Sequence, residues 1–388
     1  MFKFDKKGIF AILNLAIHFN IHIFKKIFPF FKRSGVKDFE KNFFSENLFP
    51  FRKDEREKIF NFEKCINCGI CSSECSVISV LNKNKFLEPR IISSSISRSL
   101  DFANLDEIIY NCLLCESCKI VCPQDVEIPE IISFIKSKIP KKTKIFLNLV
   151  NYKNIYGEKT EYFKEFEKDG AEYVFFAGCV GRYKERESIK KSILLLKILG
   201  VDFTTIEEVH CGRSILNLEE ELFKKLSEEN LKNIQKKNAN KIITSCPECY
   251  FTFKNSPYYK GKFQVFHITS FLKKFDLNFK KIDKKITYHD PCDLGRLSNI
   301  YEEPRDLIRK ITDNFVEMKN IRWFSRCCGS REGIKIEEEE IIKKLSFERI
   351  KEAENSGAEI LLTECPSCLN NFRNVSKKIE VYSISEYI

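Results

Sequence analysis

Two short runs of cysteine constrain this 388-residue chain more than any other feature. "CINCGICSSEC" places Cys65, Cys68, Cys71 and Cys75 at CxxCxxCxxxC spacing, and "CLLCESCKIVCP" repeats that spacing with Cys112, Cys115, Cys118 and Cys122 ahead of Pro123. Most thiols grouped this tightly lie too close along the chain to bridge one another, and the total of 17 cysteines is odd, so a closed disulfide framework is excluded. Metal ligation is the better reading, and it points to a reducing compartment. Two-residue spacers let three thiolates converge from one tight turn, and a fourth from elsewhere completes the set that a cubane [4Fe–4S] cluster needs.

The doubled spacing matches that of two-cluster ferredoxins, in which the fourth cysteine of each run serves the other cluster. One [4Fe–4S] cluster is therefore expected on Cys65, Cys68, Cys71 and Cys122, and a second on Cys112, Cys115, Cys118 and Cys75. Ser76 follows Cys75 where Pro123 follows Cys122, a departure that leaves the ligation intact. The segment between the runs, "EPRIISSSISRSLDFANLDEIIY", is helical in pattern and long for a compact β-rich ferredoxin. A helical two-cluster module over 61–138 is the expectation.

After a boundary at "IPKKTK" (139–144), short apolar runs alternate with amphipathic stretches. "EYVFFAG" (172–178), "KIITS" (241–245), "KITYHD" (285–290) and "EILLTE" (359–364) read as buried strands. The spans 184–199, 217–237 and 335–356 read as helices, with Gly200 and Gly357 as C-terminal caps. Alternation of this kind implies an α/β sheet. The half also repeats itself. "ANKIITSCPECYFTFKN" aligns with "GAEILLTECPSCLNNFRN" and "QVFHITSFL" with "EVYSISEYI" at offsets of 119 and 116, Cys179 with Cys292 at 113 and Cys211 with Cys328 at 117. The expected fold class is α+β multidomain: the helical two-cluster ferredoxin module, then a duplicated α/β domain with copy 1 over 170–275 and copy 2 over 284–388.

The remaining cysteines divide between the copies. Copy 1 holds Cys179, Cys211, Cys246 and Cys249, and copy 2 holds Cys292, Cys327, Cys328, Cys365 and Cys368, so none is left over for a disulfide. Each group follows a strand or a short turn, which places the thiols at the carboxyl edge of a sheet. The copies differ where "RCCGSREG" of copy 2 meets "VHCGRSIL" of copy 1, with His210 in the place of Cys327. Four thiolates in copy 1 suit a cubane [4Fe–4S] cluster, a tetrahedral zinc ion or a site that recruits the His210 imidazole; the alternative is a His210 that faces solvent. Gly329 is expected to let the chain pass close to a cluster. His289, beside Pro291 and Cys292, is a candidate donor of a proton or hydrogen bond, against the simpler reading of a packing residue at a strand end. His267 reads as structural.

A cysteine, a Cys-Cys-Gly and a CxxC, all in duplicate, together with "YHDPCDLGR" (288–296), resemble the cysteine-rich domain of heterodisulfide reductase, shared by the iron–sulfur subunits of glycolate oxidase, lactate-utilisation and anaerobic glycerol-3-phosphate dehydrogenase complexes. A two-cluster ferredoxin module followed by two such domains, over about 60–388, is similar to the fused catalytic subunit of membrane-linked heterodisulfide reductase. The resemblance implies that Cys292, Cys327, Cys328, Cys365 and Cys368 hold an unusual, non-cubane [4Fe–4S] cluster, with the adjacent pair supplying bridging and terminal thiolates. Cys327, Cys328 and His289 then become the candidate catalytic residues.

With 43% hydrophobic and 31% charged residues, the composition is that of a soluble globular protein rather than a disordered or membrane-embedded one. Of the net charge of +11, more than half lies in the first 33 residues, where Lys3, Lys6, Lys7, Lys25, Lys26, Lys32 and Arg33 stand against Asp5. With no interleaving of aromatic and basic residues either, nucleic acid is not an expected partner. Residues 9–24 form an apolar run with basic flanks, shorter than the roughly 20 residues of a membrane span. The span 1–33 is read as a basic amphipathic helix that lies in a membrane surface or docks on a partner, and 34–60 as a linker. Without a GxGxxG fingerprint the chain shows no flavin or nicotinamide domain, so electrons come from or leave to another subunit. Three functions follow: a relay between a flavoprotein dehydrogenase and a cytochrome b or quinone-reactive subunit, a disulfide reductase, or a redox scaffold with structural zinc in copy 1. The expected location is cytoplasmic, peripheral on the inner face of the cell membrane.

Overall fold

The computed structural model describes residues 6–27, 53–81, 86–95, 109–139, 143–159, 161–277, 279–330 and 339–388. The chain forms two units, Met1–Lys53 and Asp54–Ile388. In the first, a helix runs over Lys6–Ile27, and its residues from Ile9 to Phe24 are exposed. No helix among the described residues is long and apolar enough to cross a membrane.

The span read as a linker gives way to a helix at Lys53–Phe62. Its polar sequence hides the reason, which is tertiary: Phe62 is buried in the ferredoxin module's core, and buried Glu55 receives a hydrogen bond from Lys138 at 2.6 Å. The module is helical, as expected, with helices at Ile70–Ser73, Ser76–Val80, Pro89–Ser95, Ser117–Ile120 and Ile128–Lys138. Residues 96–108, part of the long segment between the runs, lie outside the described residues. In the Ile128–Lys138 helix, Pro129 occupies the first turn, where its missing N–H costs nothing, and Ile128, Ile131, Ile132 and Ile135 form one buried face.

Both copies are parallel α/β units. In copy 1, β1 (Tyr173–Phe176), β2 (Phe203–Thr204), β3 (Lys241–Thr244) and β4 (Gln264–His267) pair in the order β2-β1-β3-β4. In copy 2, β5 (Ile286–Tyr288), β6 (Ile360–Leu362) and β7 (Glu380–Tyr382) pair in that order, and a parallel bridge between Ile286 and Phe315 stands where a partner like β2 would be. The four strands read from sequence are all present. Their near-continuous apolar sequence reflects helices on both faces. The helix at Glu220–Gln235 shows why: Phe223, Leu226, Leu231 and Ile234 recur at helical spacing and are buried, with Glu220 and Glu221 in the first turn.

The two sheets share a core. Phe175, Ile193 and Ile243 of copy 1 belong to one buried cluster with Tyr288, Ile308 and Leu362 of copy 2. Copy 1 also reaches upstream of residue 170: the helix Lys144–Tyr152, capped by Thr143 accepting from Phe146 N at 3.1 Å, buries Ile145 and Leu149 in one cluster with Cys179 and Ile215.

Candidate metal centres

Cys65, Cys68, Cys71 and Cys122 line one recess. The two loops that carry the first cysteines of each run are built alike. Asn67 and Gly69 have positive φ in the first loop, and Leu114 and Glu116 do at the same places in the second. The backbone N–H of Asn67 points to Cys65 Sγ and that of Leu114 to Cys112 Sγ, both at 3.4 Å. These left-handed residues turn the amides inward on sulfur, the arrangement that stabilises a thiolate. Ser93 Oγ adds a hydrogen bond to Cys65 Sγ at 3.2 Å, and Val126 N one to Cys122 Sγ at 3.3 Å. Cys68 alone of the 17 cysteines is exposed, flanked by exposed Ile66 and Ile70.

The second quartet is deeper. Burial first, then repulsion from Cys112, Cys115, Cys75 and Cys71, pushes the Cys118 thiol far up. Burial likewise raises Cys75, with Cys115 and Cys112 as its repelling neighbours. The fourth cysteine of each run therefore stands beside the other run. Buried Lys136, whose Nζ donates to the Cys112 carbonyl at 3.0 Å, brings a positive charge close to this quartet.

In copy 2 the five thiols form a continuous chain of contacts. Cys327 touches Cys292 and Cys328, Cys328 Sγ lies 3.1 Å from Cys368 Sγ, and Cys368 touches Cys365. Contacts with Cys327 and Cys368 hold Cys328 well below the usual thiol range, whereas Cys327 is driven up by Cys115, Cys292 and Cys328 and by burial. His289 is buried, its ring nitrogen, Cys328 Sγ and Cys368 Sγ lie within 4.8 Å of one another, and burial lowers its pKa. Gly329 (φ 86°) meets a close approach of its own: a Cβ there would come within 3.1 Å of Ile342 Cα, so the glycine accommodates the helix Glu339–Asn355. Gly178 is the glycine that lies against thiols, with Cys249 Sγ 3.1 Å from its would-be Cβ.

In copy 1, Cys249 makes hydrogen-bond contacts with Cys211 and Cys246. Cys179 follows Gly178, whose N–H donates to buried Glu208 at 2.8 Å; burial lifts the Glu208 carboxyl to about 7. His210 does not face solvent. It is 1% exposed, and its Nδ1 accepts from Gly212 N at 2.9 Å. His267 is structural, as expected: buried, 2.8 Å from Thr269 Oγ1 and 3.3 Å from the Ser245 carbonyl.

The centres adjoin. Cys115 of the ferredoxin module makes a hydrogen-bond contact with Cys327 of copy 2, and Cys327 N donates to Ser76 Oγ at 3.3 Å. Arg296 clamps the junction by donating from Nε to the Cys115 carbonyl at 2.6 Å. Between the copies, half-buried Arg213 pairs with buried Asp293 at 3.0 Å, Cys365 is close enough to act on Cys246, and Pro247 and Glu248 of copy 1 help line the recess of the five copy 2 thiols. Sequence reasoning missed Arg296, Arg213, Asp293, Glu248 and Arg349. Asp293 and Arg296 lie within the quoted stretch 288–296 and Arg213 near Cys211, and Ser76 stands as the departure from the proline of the second run, but the sequence marks none of their partners.

None of the 17 thiols is joined in a disulfide. Burial opposes ionisation of so many neighbouring thiols, and bound cations are what would deprotonate them together, so the residues present fit iron–sulfur or zinc binding.

Comparison with known proteins agrees with this arrangement. A 4Fe-4S dicluster domain matches residues 61–126, and a cysteine-rich domain, CCG, matches 173–254 and 286–373. The chain belongs to the family of iron–sulfur oxidoreductase subunits in which a 4Fe-4S dicluster domain precedes two such cysteine-rich domains. It is 26% identical over 363 residues to one subunit of the dihydromethanophenazine:CoB--CoM heterodisulfide reductase of Methanosarcina acetivorans, covering 81% of this chain and 89% of that protein. It is also 26% identical over 403 residues to the EtfAB:quinone oxidoreductase of Syntrophomonas wolfei, covering 83% of this chain and 56% of that protein. Among solved structures, a hypothetical protein from Helicobacter pylori has the same fold, with a TM-score of 0.53 and 12% identity, covering 90% of this chain and 74% of that one.

Proposed function

We propose that this chain relays electrons between a partner subunit and the five-thiol site of copy 2. The observation that carries the reading is the Cys115–Cys327 contact, which joins the ferredoxin module to copy 2. Cys65, Cys68, Cys71 and Cys122 hold one [4Fe–4S] cluster at the exposed end, and Cys112, Cys115, Cys118 and Cys75 hold the second. Cys292, Cys327, Cys328, Cys365 and Cys368 hold a further cluster, of the non-cubane type that the family resemblance implies. Cys179, Cys211, Cys246 and Cys249 hold zinc or a [4Fe–4S] cluster; His210 Nδ1 is occupied by Gly212 N–H, which favours an all-thiolate set. Bound there, iron–sulfur clusters supply one-electron transfer at potentials set by burial and by hydrogen bonds to sulfur. The partner is a flavoprotein or a membrane quinone-reactive subunit, and exposed Cys68, Ile66 and Ile70 mark the end that meets it.

The test uses full-length protein purified anaerobically, with Cys112→Ser chosen because it spares the Cys115–Cys327 contact. Reduction of the copy 2 site by a reduced flavoprotein or quinol should stop in this variant, while dithionite still reduces the Cys65 quartet. Reduction at the wild-type rate would show that electrons enter copy 2 by another way. The helix Lys6–Ile27 is assigned to the membrane surface on its exposed apolar residues and basic ends. Removal of residues 1–33 should release the protein from membranes with its iron retained, and persistent sedimentation would make a partner the anchor.

A second reading has its own observation, the recess that both copies line beside Cys292, Cys327 and Cys328. A disulfide admitted there would take two electrons and two protons to give two thiols. Disulfide-dependent oxidation of the pre-reduced protein separates this activity from relay alone.

A further inference from the structure

In copy 2 one buried arginine decides which nitrogen of His289 carries the proton. Arg349 Nε donates to His289 Nδ1 at 3.1 Å. A guanidinium only donates, so Nδ1 is the acceptor, and the neutral imidazole carries its hydrogen on Nε2. Arg349 is itself held by Glu352 Oε2 at 2.7 Å and Ser325 Oγ at 3.2 Å, and it is 1% exposed. The ring packs edge-on against Phe372 with centroids 4.8 Å apart, and its other polar contact is Cys328.

Histidines that ligate metals usually donate their second ring N–H to a carboxylate, a carbonyl or water, which raises their basicity. His289 has the opposite surroundings, a cation that donates to it. We propose that His289 is not a ligand of the copy 2 centre but a hydrogen-bond donor from Nε2 to the Cys328 sulfur, and that Arg349 is the positioning residue that fixes this tautomer.

The duplication supplies an internal comparison. At offsets of 113 and 119, Phe176 stands in copy 1 for His289 and Asn230 for Arg349. Asn230 instead bonds the backbone of Val209 and His210. The histidine and the arginine are therefore lost together in the copy that lacks the fifth thiol. The inference rests on the reading that copy 2 holds a cluster. A hydrogen bond to a cluster sulfur stabilises the reduced, more negative state and raises the reduction potential.

The test is a redox titration of the copy 2 paramagnetic signal in anaerobically purified full-length protein, with electron–nuclear double resonance in H2O and D2O. His289→Phe should shift the reduction equilibrium about tenfold toward the oxidised form, about 59 mV for one electron, keep all its iron, and lose an exchangeable proton coupling. Arg349→Gln should shift the potential in the same direction by less, and Arg349→Lys should recover most of the wild-type value. His289→Gln, which keeps an N–H donor, should stay near wild type. Loss of iron together with a strong nitrogen coupling in the wild type that vanishes in His289→Phe would make His289 a ligand and overturn the proposal, as would a potential unmoved in both His289→Phe and Arg349→Gln. A wild-type protein with two cubane signals and no third would remove the copy 2 cluster and this inference with it.

Discussion

Copies 1 and 2 present parallel sheets with the same strand succession apart from the edge strand β2, the same CxxC at a helix start and the same glycine after the final cysteine of the Cys/His-Cys-Gly turn, yet many of their buried polar groups differ. Where copy 2 has Cys327, His289, Asp290 and Arg349, copy 1 has His210, Phe176, Ala177 and Asn230. Where copy 1 has His267, copy 2 has Ser383. The strands and helix faces tolerate these exchanges because the apolar residues between them hold the fold, and the chemistry resides in side chains set upon it.

The largest expected difference lies between Cys327→Ser and His210→Ala. The first should abolish the copy 2 paramagnetic signal and the activity while the two ferredoxin signals persist. The second should be mild, because four thiols remain in copy 1. Equal loss in both would mean that the copies act as one coupled site, and an unchanged signal in Cys327→Ser would show that this thiol is no ligand. Next comes the ion network found in copy 2. Arg305, fully buried, donates to Asp290 at 2.7 and 2.9 Å and to Glu317 at 2.7 Å. Arg305→Met should cost about 3–5 kcal/mol, because it strands buried Asp290 without its counter-ion; the double variant Arg305→Met/Asp290→Ala, with the alanine of copy 1, should recover part of the loss in urea unfolding. A cost below about 1 kcal/mol would mean that the network is not closed in solution.

The smallest difference depends on pH. Burial depresses the His267 pKa to about 3, so the folded protein refuses a proton that the unfolded chain takes up near 6.5. Stability is then fully present above about pH 6.5 and is lost as pH falls toward 3. Between pH 6.5 and 5 the loss should be about 2 kcal/mol, and His267→Gln should remove that slope. The counterpart Ser383→Ala, which deletes the capping box with Glu386, should cost about 1 kcal/mol at every pH. Parallel slopes for wild type and His267→Gln would mean that His267 is protonated in the folded state.

How far the sequence reaches follows from the range of the interactions. Cysteine groups, buried strands and the duplication are local or periodic, and each leaves a mark in the chain. That the fourth cysteine of each run lies beside the other run is accessible because the spacing matches that of two-cluster ferredoxins. The two-residue β2 is too short for any period to register, and the helix at Lys53–Phe62 is polar except where it meets its neighbours. Arg349, Arg296 and the Arg213–Asp293 pair act across 60, 181 and 80 residues of chain; Arg213, Asp293 and Arg296 sit inside the cysteine motifs, but their partners are too distant in sequence to be read. A solvent-facing His210 is the wrong alternative, and the sequence could not exclude it because a buried imidazole that bonds its own turn has no sequence signature.

The core shared by the two sheets has a consequence for how such a chain can change. Besides the Arg213–Asp293 pair, Arg373 of copy 2 binds Glu185 of copy 1 at 2.6 Å, and Ser188 Oγ donates to Ser383 Oγ at 3.0 Å. The pair is joined like a two-fold dimer, but within one polypeptide. In a dimer of identical subunits, each substitution appears on both sides of the axis at once, so a residue that helps one site must be tolerated in the other. Fusion removes that obligation. One half is free to keep the arginine, the histidine and the paired thiols while the other gives the matching positions to Phe176, His210 and Asn230, and the core that both halves share is unchanged by the exchange.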